Sequence, residues 1–218
     1  MDRRHVQRIA QRLLFGWLIL GDCAGAATLD VRVHDTRGRP LEGIAIVVDG
    51  ATPATAVSTA PAASIDQRNE QFVPRISIVQ RGSAVAFPNT DRVQHHVYSF
   101  SAAKQFELPL YRGNLHPPIV FDRAGVVVLG CNIHDHMIGY VLVVDSPYFA
   151  FSDADGLAEL TGLPDGPVDV KVWHPDLRSA FGDIHHGVDL EGPVRGIEIT
   201  MESPGRPPKE ASLSWTDY

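Results

Sequence analysis

The chain has few cysteines and lacks the short motifs that mark common hydrolases. It contains two cysteines in 218 residues, too few for a disulfide framework. A G-x-S-x-G elbow, a phosphate loop and an H-E-x-x-H helix are all missing, so a hydrolase would have no starting residue. Cations are scarce as well: the net charge is -7, and no run of Lys and Arg interleaved with aromatics follows residue 26. These features exclude nucleic acid as a partner.

Long apolar runs are also missing, apart from a short one near the start. The run at residues 13–21 is only half as long as the ~20 residues that a membrane-spanning helix requires. Four arginines precede it, and Ala24-Gly25-Ala26 follows it as an A-x-A cleavage site. This is the pattern of a secretory signal. We therefore expect residues 1–26 to be a signal peptide, and the mature protein to be periplasmic or secreted without a stable membrane anchor.

Removal of that segment changes both the thiol content and the charge. Cys23 is lost, so Cys131 becomes the only cysteine of the mature chain. An unpaired thiol in an oxidising compartment is either buried and inert or committed to a ligand. Four arginines and two aspartates are lost as well, which moves the net charge from -7 to -9. Such an acidic surface repels phosphate backbones.

The rest of the chain has the pattern of an all-β protein. From residue 72 onward, short runs of β-branched and aromatic residues are separated by Gly, Pro or Asn, which is typical of a β-sandwich. Residues 28–49 predict two strands joined by the turn-rich segment DTRGRP. No stretch of the mature chain keeps a helical period over three turns. The segment 51–66 is rich in Ala, Thr and Pro without periodicity, and is predicted to be a linker.

Two segments far apart in the chain resemble consecutive parts of one sandwich. VHDTRGRPLEGIAIVV resembles the first two strands of the transthyretin-like or carboxypeptidase-regulatory type of β-sandwich, and SDADGLAELTGLPDGPVDVKVWHP resembles the strands that normally follow. The resemblance implies that a central module is inserted into an exposed turn of an outer, Ig/transthyretin-like sandwich. We expect a split outer domain at 27–50 and 148–202, an inserted domain at 67–147 and a polar tail at 203–218.

The central module ends in a loop whose side chains suit a soft metal ion. In GVVVLGCNIHDHMIGYVLVV, a strand leads to Cys131, a tight loop carries His134 and Met137, and a second strand leads away. A thiolate, an imidazole and a thioether at this spacing suit copper, above all in a trigonal site of two imidazoles and one thiolate with a weak axial thioether. Hard cations would need carboxylates and carbonyls. The sequence thus predicts one copper ion and a second histidine from elsewhere.

The segment FPNTDRVQHHVYSF resembles the part of cupredoxins in which an Asn is followed six residues later by a His and then by x-Val. Asn89, His95 and Val97 match this pattern. The loop that carries the thiol resembles the short loop of amicyanin-like cupredoxins. The resemblance implies a Greek-key cupredoxin sandwich with a blue-copper site. The ligands that it implies are His95, Cys131, His134 and Met137.

Two of these ligand assignments stay open at the level of sequence. Adjacent strand residues face opposite ways, so only one of His95 and His96 can point at the metal; the match to the cupredoxin pattern favours His95. His136 stands beside Met137 and could replace it as the axial ligand. A surface histidine near the docking point of a redox partner is the simpler interpretation of His136.

Further residues of the sequence are expected to have structural roles and not to bind the metal. Asn89 is expected to tie the strand of the first histidine to the thiol loop, and Gly130 and Gly139 are expected to form turns beside that loop. The pair His185-His186 in GDIHHGV is predicted to be exposed, since two ligands alone make a poor metal site.

The whole combination resembles bacterial methylamine-utilisation-like and plastocyanin-like proteins. It implies a periplasmic one-electron carrier that meets a redox partner protein and turns over no substrate, hence a protein that is not an enzyme. The resemblance does not extend to methylamine as a substrate. Copper storage or delivery is an alternative, because it uses the same ligands with exchangeable metal. A binding module, whose outer sandwich recognises a carbohydrate or a protein, is another.

Overall fold

The structure, a computed structural model, describes residues 27–50, 61–177, 179–191 and 194–204. All regular secondary structure in these ranges is β-strand, which confirms the all-β prediction. None of the residues described forms a helix long and apolar enough to cross a membrane. The predicted signal peptide at 1–26 lies outside the described residues, as does the polar tail at 203–218 beyond residue 204.

Seventeen strands follow one another along the described chain. The first part contains β1 (Ala27–Asp35), β2 (Ala45–Asp49), β3 (Pro61–Ser64), β4 (Asp66–Arg68), β5 (Gln71–Val73), β6 (Ile76–Gln80), β7 (Ala84–Ala86), β8 (His95–Ser101) and β9 (Lys104–Tyr111). The second part contains β10 (Ile119–Val120), β11 (Gly125–Cys131), β12 (His134–Val144), β13 (Phe149–Phe151), β14 (Leu157–Leu163), β15 (Gly166–Trp173), β16 (His185–Leu190) and β17 (Val194–Met201).

The strands from the middle of the chain form one sandwich. A sheet with the order β6-β12-β11-β8-β9 faces a smaller sheet with the order β10-β7-β3. Alternate residues of a strand face opposite sides, so β11 turns Val127, Leu129 and Cys131 into the core between the sheets. The hairpin β4–β5 packs on this core through Phe72. Cys131 is the last residue of β11, and its thiol therefore points into this core.

The strands from the two ends of the chain form a second pair of sheets. One has the order β14-β1-β17 and the other β13-β2-β15-β16. Strand β1 is antiparallel to β14 and parallel to β17, so residues before position 50 pair directly with residues after position 148. Their inward side chains, such as Leu29, Ile46 and Val170, form a separate core. This arrangement is the one that insertion of a central module requires; the domain boundaries at 27–50, 67–147 and 148–202 stay a prediction.

The two sandwiches meet through a third apolar cluster. Leu142 and Val144 on the outer side of β12 pack against Ala45, Val47 and Trp173 from the sheet of β2 and β15. Beside this cluster, Arg75 makes a bidentate ion pair with Asp176, with Nη2 of Arg75 2.7 Å from Oδ1 of Asp176. The outer sandwich thus covers part of one face of the five-stranded sheet.

The predicted linker at 51–66 needs a correction at its end. Strand β3 lies inside it and pairs in parallel with β7, and β4 begins at its last residue. The backbone of Ala63 and Ser64 is hydrogen-bonded into a sheet, which a composition rich in Ala and Pro does not reveal. Any linker is therefore confined to the residues before position 61; residues 51–60 lie outside the described part of the chain.

Candidate metal centre

Three neighbouring strands bring the candidate ligands together. Strand β11 ends at Cys131, a two-residue turn follows, and β12 begins at His134, with Cys131 and His134 paired across the hairpin. Strand β8 lies on the other side of β11, where Val97 pairs with Cys131. His95 is the first residue of β8. It therefore lies two residues before Val97, the pairing partner of Cys131. Local hairpin geometry and one strand pairing together create the site.

The ring nitrogens of both histidines face the thiol. Nδ1 of His95 and Nδ1 of His134 each lie 3.7 Å from Sγ of Cys131, and the three potential ligand atoms lie within 4.8 Å of one another. His95 is 0% and Cys131 3% exposed, whereas the side chain of His134 is 19% exposed. Of the three side chains, only that of His134 is partly exposed.

The spacing of these atoms fits a bound metal ion. Bonds of about 2.05 Å to nitrogen and about 2.3 Å to sulfur, the lengths known for zinc, place the two atoms about 3.8 Å apart in a trigonal site. The observed separations of 3.7 Å agree with this. Two imidazoles and one thiolate form the donor set that, with a weak axial thioether, suits copper. The residues present therefore fit a copper ion.

The two adjacent histidines face opposite sides of the sheet, as the strand period predicts. His95 points into the core toward Cys131. Nε2 of His96 instead lies 3.0 Å from Oε1 of Glu107, without the geometry of a hydrogen bond. The ring of His96 also packs edge-on against Tyr98, at 6.1 Å between centroids. The geometry supports His95 as the ligand.

Met137 and His136 are likewise separated by the alternation of β12. Met137 is buried in the same core cluster as Cys131. The side chain of His136 is exposed, with Nε2 3.4 Å from Oε2 of Glu70. Since His136 points toward solvent, the arrangement favours Met137 as the axial residue.

Asp91 is a residue of the site that the sequence pattern did not reveal. Its Oδ2 lies 3.0 Å from Nε2 of His95, so the Nε2–H of His95 donates to Asp91 and Nδ1 carries its lone pair toward Cys131. The same oxygen accepts the backbone N–H of Glu70. This backbone bond is the largest cause that lowers the pKa of Asp91 to about 2, and the bond from His95 acts in the same direction. An aspartate four residues before the histidine is a signal that sequence reasoning could have used.

The turn of the hairpin β4–β5 is the second feature that the sequence did not reveal. Its two central residues, Asn69 and Glu70, have φ angles of 52° and 56°, as a two-residue hairpin turn of type I′ requires. The carboxylate of Glu70 lies between two histidines, with Oε1 3.8 Å from Nε2 of His134 and Oε2 3.4 Å from Nε2 of His136. One turn thus contacts the outer side of the metal cluster.

The expected role of Asn89 is wrong. Its Nδ2 donates to the backbone oxygens of Tyr111 and Val93, and its Oδ1 accepts the N–H of Asp91. Asn89 therefore ties the loop before β8 to β9, and no hydrogen bond in the described part of the chain joins it to the thiol loop. Tyr111 pairs with His95 across the strands, and burial raises the pKa of Tyr111 to about 12.

The two glycines beside the loop lie in strands, so the predicted turns are wrong. Gly130 belongs to β11 and Gly139 to β12. A Cβ at position 130 would lie 2.7 Å from Cζ of Tyr98, and one at position 139 would lie 2.9 Å from Cβ of Phe72. Each glycine makes room for an aromatic side chain on a different side of the sheet.

The remaining histidines do not extend the cluster. Among the residues that the structure describes, the only set of three or more metal-binding side chains within reach of one ion is His95, Cys131 and His134. His185 lies on edge strand β16, where Nδ1 is 3.0 Å from Oδ1 of Asp169, and it is exposed like His186. This agrees with the surface role predicted for the pair.

Comparisons with known proteins find likenesses among solved structures alone. No protein-family model and no curated protein matches the chain. The purple cupredoxin from Nitrosopumilus maritimus is 25% identical, with a TM-score of 0.34 over 37% of this chain and 98% of its own. A reduced amicyanin variant is 19% identical, with a TM-score of 0.35 over 45% of this chain and 97% of its own. The Cu-containing nitrite reductase from Thermus scotoductus SA-01 is 23% identical, with a TM-score of 0.37 over 43% of this chain and 24% of its own.

The fold and the site define the class of this part of the chain. Two β-sheets enclose a core, and at one end of that core two imidazole nitrogens and a thiol face a common point. Two imidazoles and a thiolate in this arrangement suit a soft metal ion. The central sandwich is thus an all-β domain with a candidate soft-metal site, and it is similar to the cupredoxins named above.

Proposed function

We propose that the protein is a periplasmic or secreted type 1 copper protein that carries one electron at a time and turns over no substrate. The observation that carries the proposal is the equal 3.7 Å distance from Nδ1 of His95 and of His134 to Sγ of Cys131. Copper, when bound, would supply a one-electron change between Cu(I) and Cu(II). The proposed ligands are His95, Cys131, His134 and Met137.

The protein residues would hold the site in one geometry for both oxidation states. Cys131 is fixed at the end of β11 and His95 is oriented by Asp91, so two of the donors are held by groups outside the cluster. Met137 and Cys131 are both buried, with 1% and 3% of their surface exposed, so a dissolved substrate has little access to them. These features support electron carriage rather than catalysis on a small molecule.

Burial also favours carriage over copper storage or delivery. A delivery site must release its ion to another protein, which requires access to the ligands. Cys131 and His95 are almost fully enclosed, and His134 alone is partly exposed. We propose that His134 is the point at which the copper site comes nearest to solvent, and that electrons can reach a redox partner there.

The experiment that tests the proposal is addition of Cu(II) to the purified mature protein, followed by its visible spectrum. Intense thiolate-to-copper absorption is expected, and Cys131→Ser abolishes it. His95→Ala and His96→Ala form a matched pair on adjacent positions: the first should remove the colour and the second should retain it. A protein that binds copper without colour, or a pair with the opposite result, contradicts the proposed site.

Competition with a Cu(I) chelator separates carriage from delivery. A carrier retains copper in both oxidation states, so Cu(I) should stay on the protein in the presence of a chelator of moderate affinity. Rapid loss of Cu(I) would favour storage or delivery. The proposed export is tested separately by mass spectrometry of the protein produced in a bacterium, where a mature N-terminus at Ala27 is expected.

A further inference from the structure

The outer face of the five-stranded sheet is only partly covered by the second sandwich. On β12, Leu142 and Val144 lie under that sandwich, whereas Ile138 on the same side of the strand is exposed. On β11, Val126 is covered and Val128 is exposed. The apolar surface that the two sandwiches bury therefore continues beyond their contact into solvent.

We call this continuation the uncovered face and define it by Tyr98, Phe100, Val128 and Ile138. Phe100 is 80% exposed, the largest exposed fraction among the large apolar side chains of the described residues. The rings of Tyr98 and Phe100 lie 5.1 Å apart between centroids. None of the four side chains carries a charge. Contiguous exposed apolar side chains of this kind mark interaction sites on soluble proteins.

The uncovered face extends over the strands that carry the candidate metal ligands. An open groove of about 390 Å³ runs between its side chains and is also lined by Cys131, Met137 and Asp135. Cys131 and Met137 turn their side chains into the core on the opposite side of the sheet, so the groove ends over the strands that carry the thiol and the proposed axial ligand. A protein docked on this face would be separated from the metal site by the thickness of the sheet alone, and would not touch His134, which points toward Glu70.

Tyr98 connects the surface to the backbone of the thiol ligand. It pairs with Gly130, the residue before Cys131. The missing side chain at position 130 lets the ring of Tyr98 lie directly on the strand, where a Cβ would be 2.7 Å from Cζ and 2.8 Å from Oη. An aromatic ring that fills the space above a strand glycine stabilises the strand pairing. Here it also gives a half-buried π-system that touches the peptide next to Cys131.

We propose that the uncovered face is the docking surface for a one-electron redox protein that presents an uncharged, apolar patch, and that Tyr98 couples this partner to Cys131. The inference rests on the proposed copper function. In each transfer the loaded protein goes from Cu(I) to Cu(II) while the partner's centre gains one electron; no bond breaks and no proton moves. The carrier then has a second contact surface besides the end at which His134 lies.

The charges of the molecule favour a partner over a second copy. Two mature copies would each carry the expected net charge of -9 and repel one another, whereas an uncharged patch on another protein meets no such penalty on this face. Continuity with the buried contact of the two sandwiches shows that the same sheet face already binds an apolar protein surface.

Adsorption on a defined apolar surface tests the proposal. The probe is a gold electrode coated with a methyl-terminated alkanethiol monolayer, on which binding of the metal-free protein and electron transfer of the copper-loaded protein are both measured. Phe100→Glu should lower the bound amount and the electron-transfer rate about tenfold or more. Leu115→Glu, at a position 72% exposed, is the matched control and should change both by less than about twofold.

Tyr98 is tested as a positioning residue by its effect on rate at constant binding. The rate is compared per molecule bound: Tyr98→Leu should transfer electrons about tenfold more slowly, and Tyr98→Phe should restore the rate. The visible spectrum and reduction potential of every variant should stay unchanged. A slow Tyr98→Phe, or an unchanged rate in Tyr98→Leu, overturns the coupling role.

Other outcomes are equally decisive. An equal or larger loss in Leu115→Glu than in Phe100→Glu overturns the docking surface. A wild-type dimer in sedimentation that Phe100→Glu converts to a monomer would assign the face to a second copy and overturn the partner. If the protein never gains the copper colour, the proposed function has failed, while adsorption of the metal-free protein still tests the surface.

Discussion

Asp91 illustrates how one residue outside the ligand set can determine the chemistry of a ligand. Its carboxylate holds Nε2 of His95 at 3.0 Å, so the other ring nitrogen is left free to face Cys131. It also accepts backbone N–H groups of Glu70 and Arg92, which fix its own orientation. The position of the histidine ring thus depends on a carboxylate that is held from two sides.

Asp91→Asn is expected to weaken copper binding by about 10- to 100-fold, because removal of a partner that orients a ligating histidine has an effect of that size. The affinity would be measured by competition with a chelator. Asp122→Asn is the control. Asp122 is exposed, and its Oδ1 lies 3.0 Å from Nζ of Lys104 in an ion pair outside the metal cluster. Equal affinities in Asp91→Asn and the wild-type protein would contradict the role assigned to Asp91.

Asp35 leads to a prediction about acid stability in the outer sandwich. Its buried carboxylate accepts the backbone N–H groups of Arg37 and Arg39 and the Nε–H of Arg39. The backbone bond from Arg39 is the largest cause that lowers the pKa of Asp35 from 3.8 to about 2. A lowered pKa means that the carboxylate stabilises the fold fully above its ordinary value and loses that effect as the pH falls through the folded value.

The wild-type protein should have a higher free energy of unfolding than Asp35→Asn above about pH 4, and this difference should disappear between about pH 4 and pH 2. Urea unfolding at a series of pH values measures the free energy of unfolding of both proteins. The two curves should run parallel above this window and converge within it. Curves that stay parallel down to pH 2 would show that Asp35 does not titrate as described.

At the scale of an element, the β4–β5 turn combines backbone strain with a contact to the metal cluster. Glu70 has a positive φ of 56°, and a residue with a Cβ pays for this conformation with about 1–2 kcal/mol. Glycine at this place would follow Asn69 and form the Asn-Gly pair that such turns prefer. Glu70 is thus less stable in the turn than glycine, while its carboxylate lies beside His134 and His136.

Glu70→Gly should raise the free energy of unfolding of the metal-free protein by about 1 kcal/mol, because the relief of strain exceeds the value of an exposed ion pair. Denaturant unfolding of the metal-free protein measures this free energy in the wild type and the variants. Glu70→Gln keeps the strained backbone and removes only the charge, so no gain is expected from it. A gain of the same size in both variants would attribute the effect to charge instead of φ.

At the scale of the whole molecule, an apolar contact between described residues joins the two sandwiches. Trp173 is buried between them, packs edge-on against Tyr140 at 6.2 Å between centroids, and lies in the cluster with Leu142. Arg75 lies over the ring of Tyr140 at 5.2 Å from its centroid and pairs with Asp176, and the hydrogen bonds to Asp176 raise the pKa of Arg75. We propose that this contact makes the split outer domain and the inserted domain unfold together.

Trp173→Ala should uncouple the two halves at a cost of about 3–5 kcal/mol. Far-UV circular dichroism follows both sandwiches, whereas the copper colour follows only the central one. In the wild-type protein the two signals should change in one transition, and in the variant the colour should outlast part of the dichroism. Leu115→Ala, at an exposed position, is the control. Coincident transitions in Trp173→Ala would argue that the interface does not couple the domains.

Much of the fold follows from local pattern. The alternation of apolar and polar residues in strands such as β1 and β11 is visible in the sequence, because a strand has a period of two. The same period separates His95 from His96. The spacing of Cys131 and His134 predicts neighbouring side chains, because a hairpin places its two flanking residues opposite each other. The linker, by contrast, was predicted too long, because strand β3 depends on its pairing with β7.

The amino-acid sequence by itself therefore determined the strand-rich class and the donor types on the thiol loop, since both depend on residues close together in the chain. Only the tertiary structure decided which face of the sheet is covered, why Gly130 and Gly139 lie in strands, and that Asp91 and Glu70 border the metal cluster. These features depend on side chains that meet across strands or across the two sandwiches. Sequence patterns do not predict these contacts, because they depend on the packing of segments that are distant in the chain.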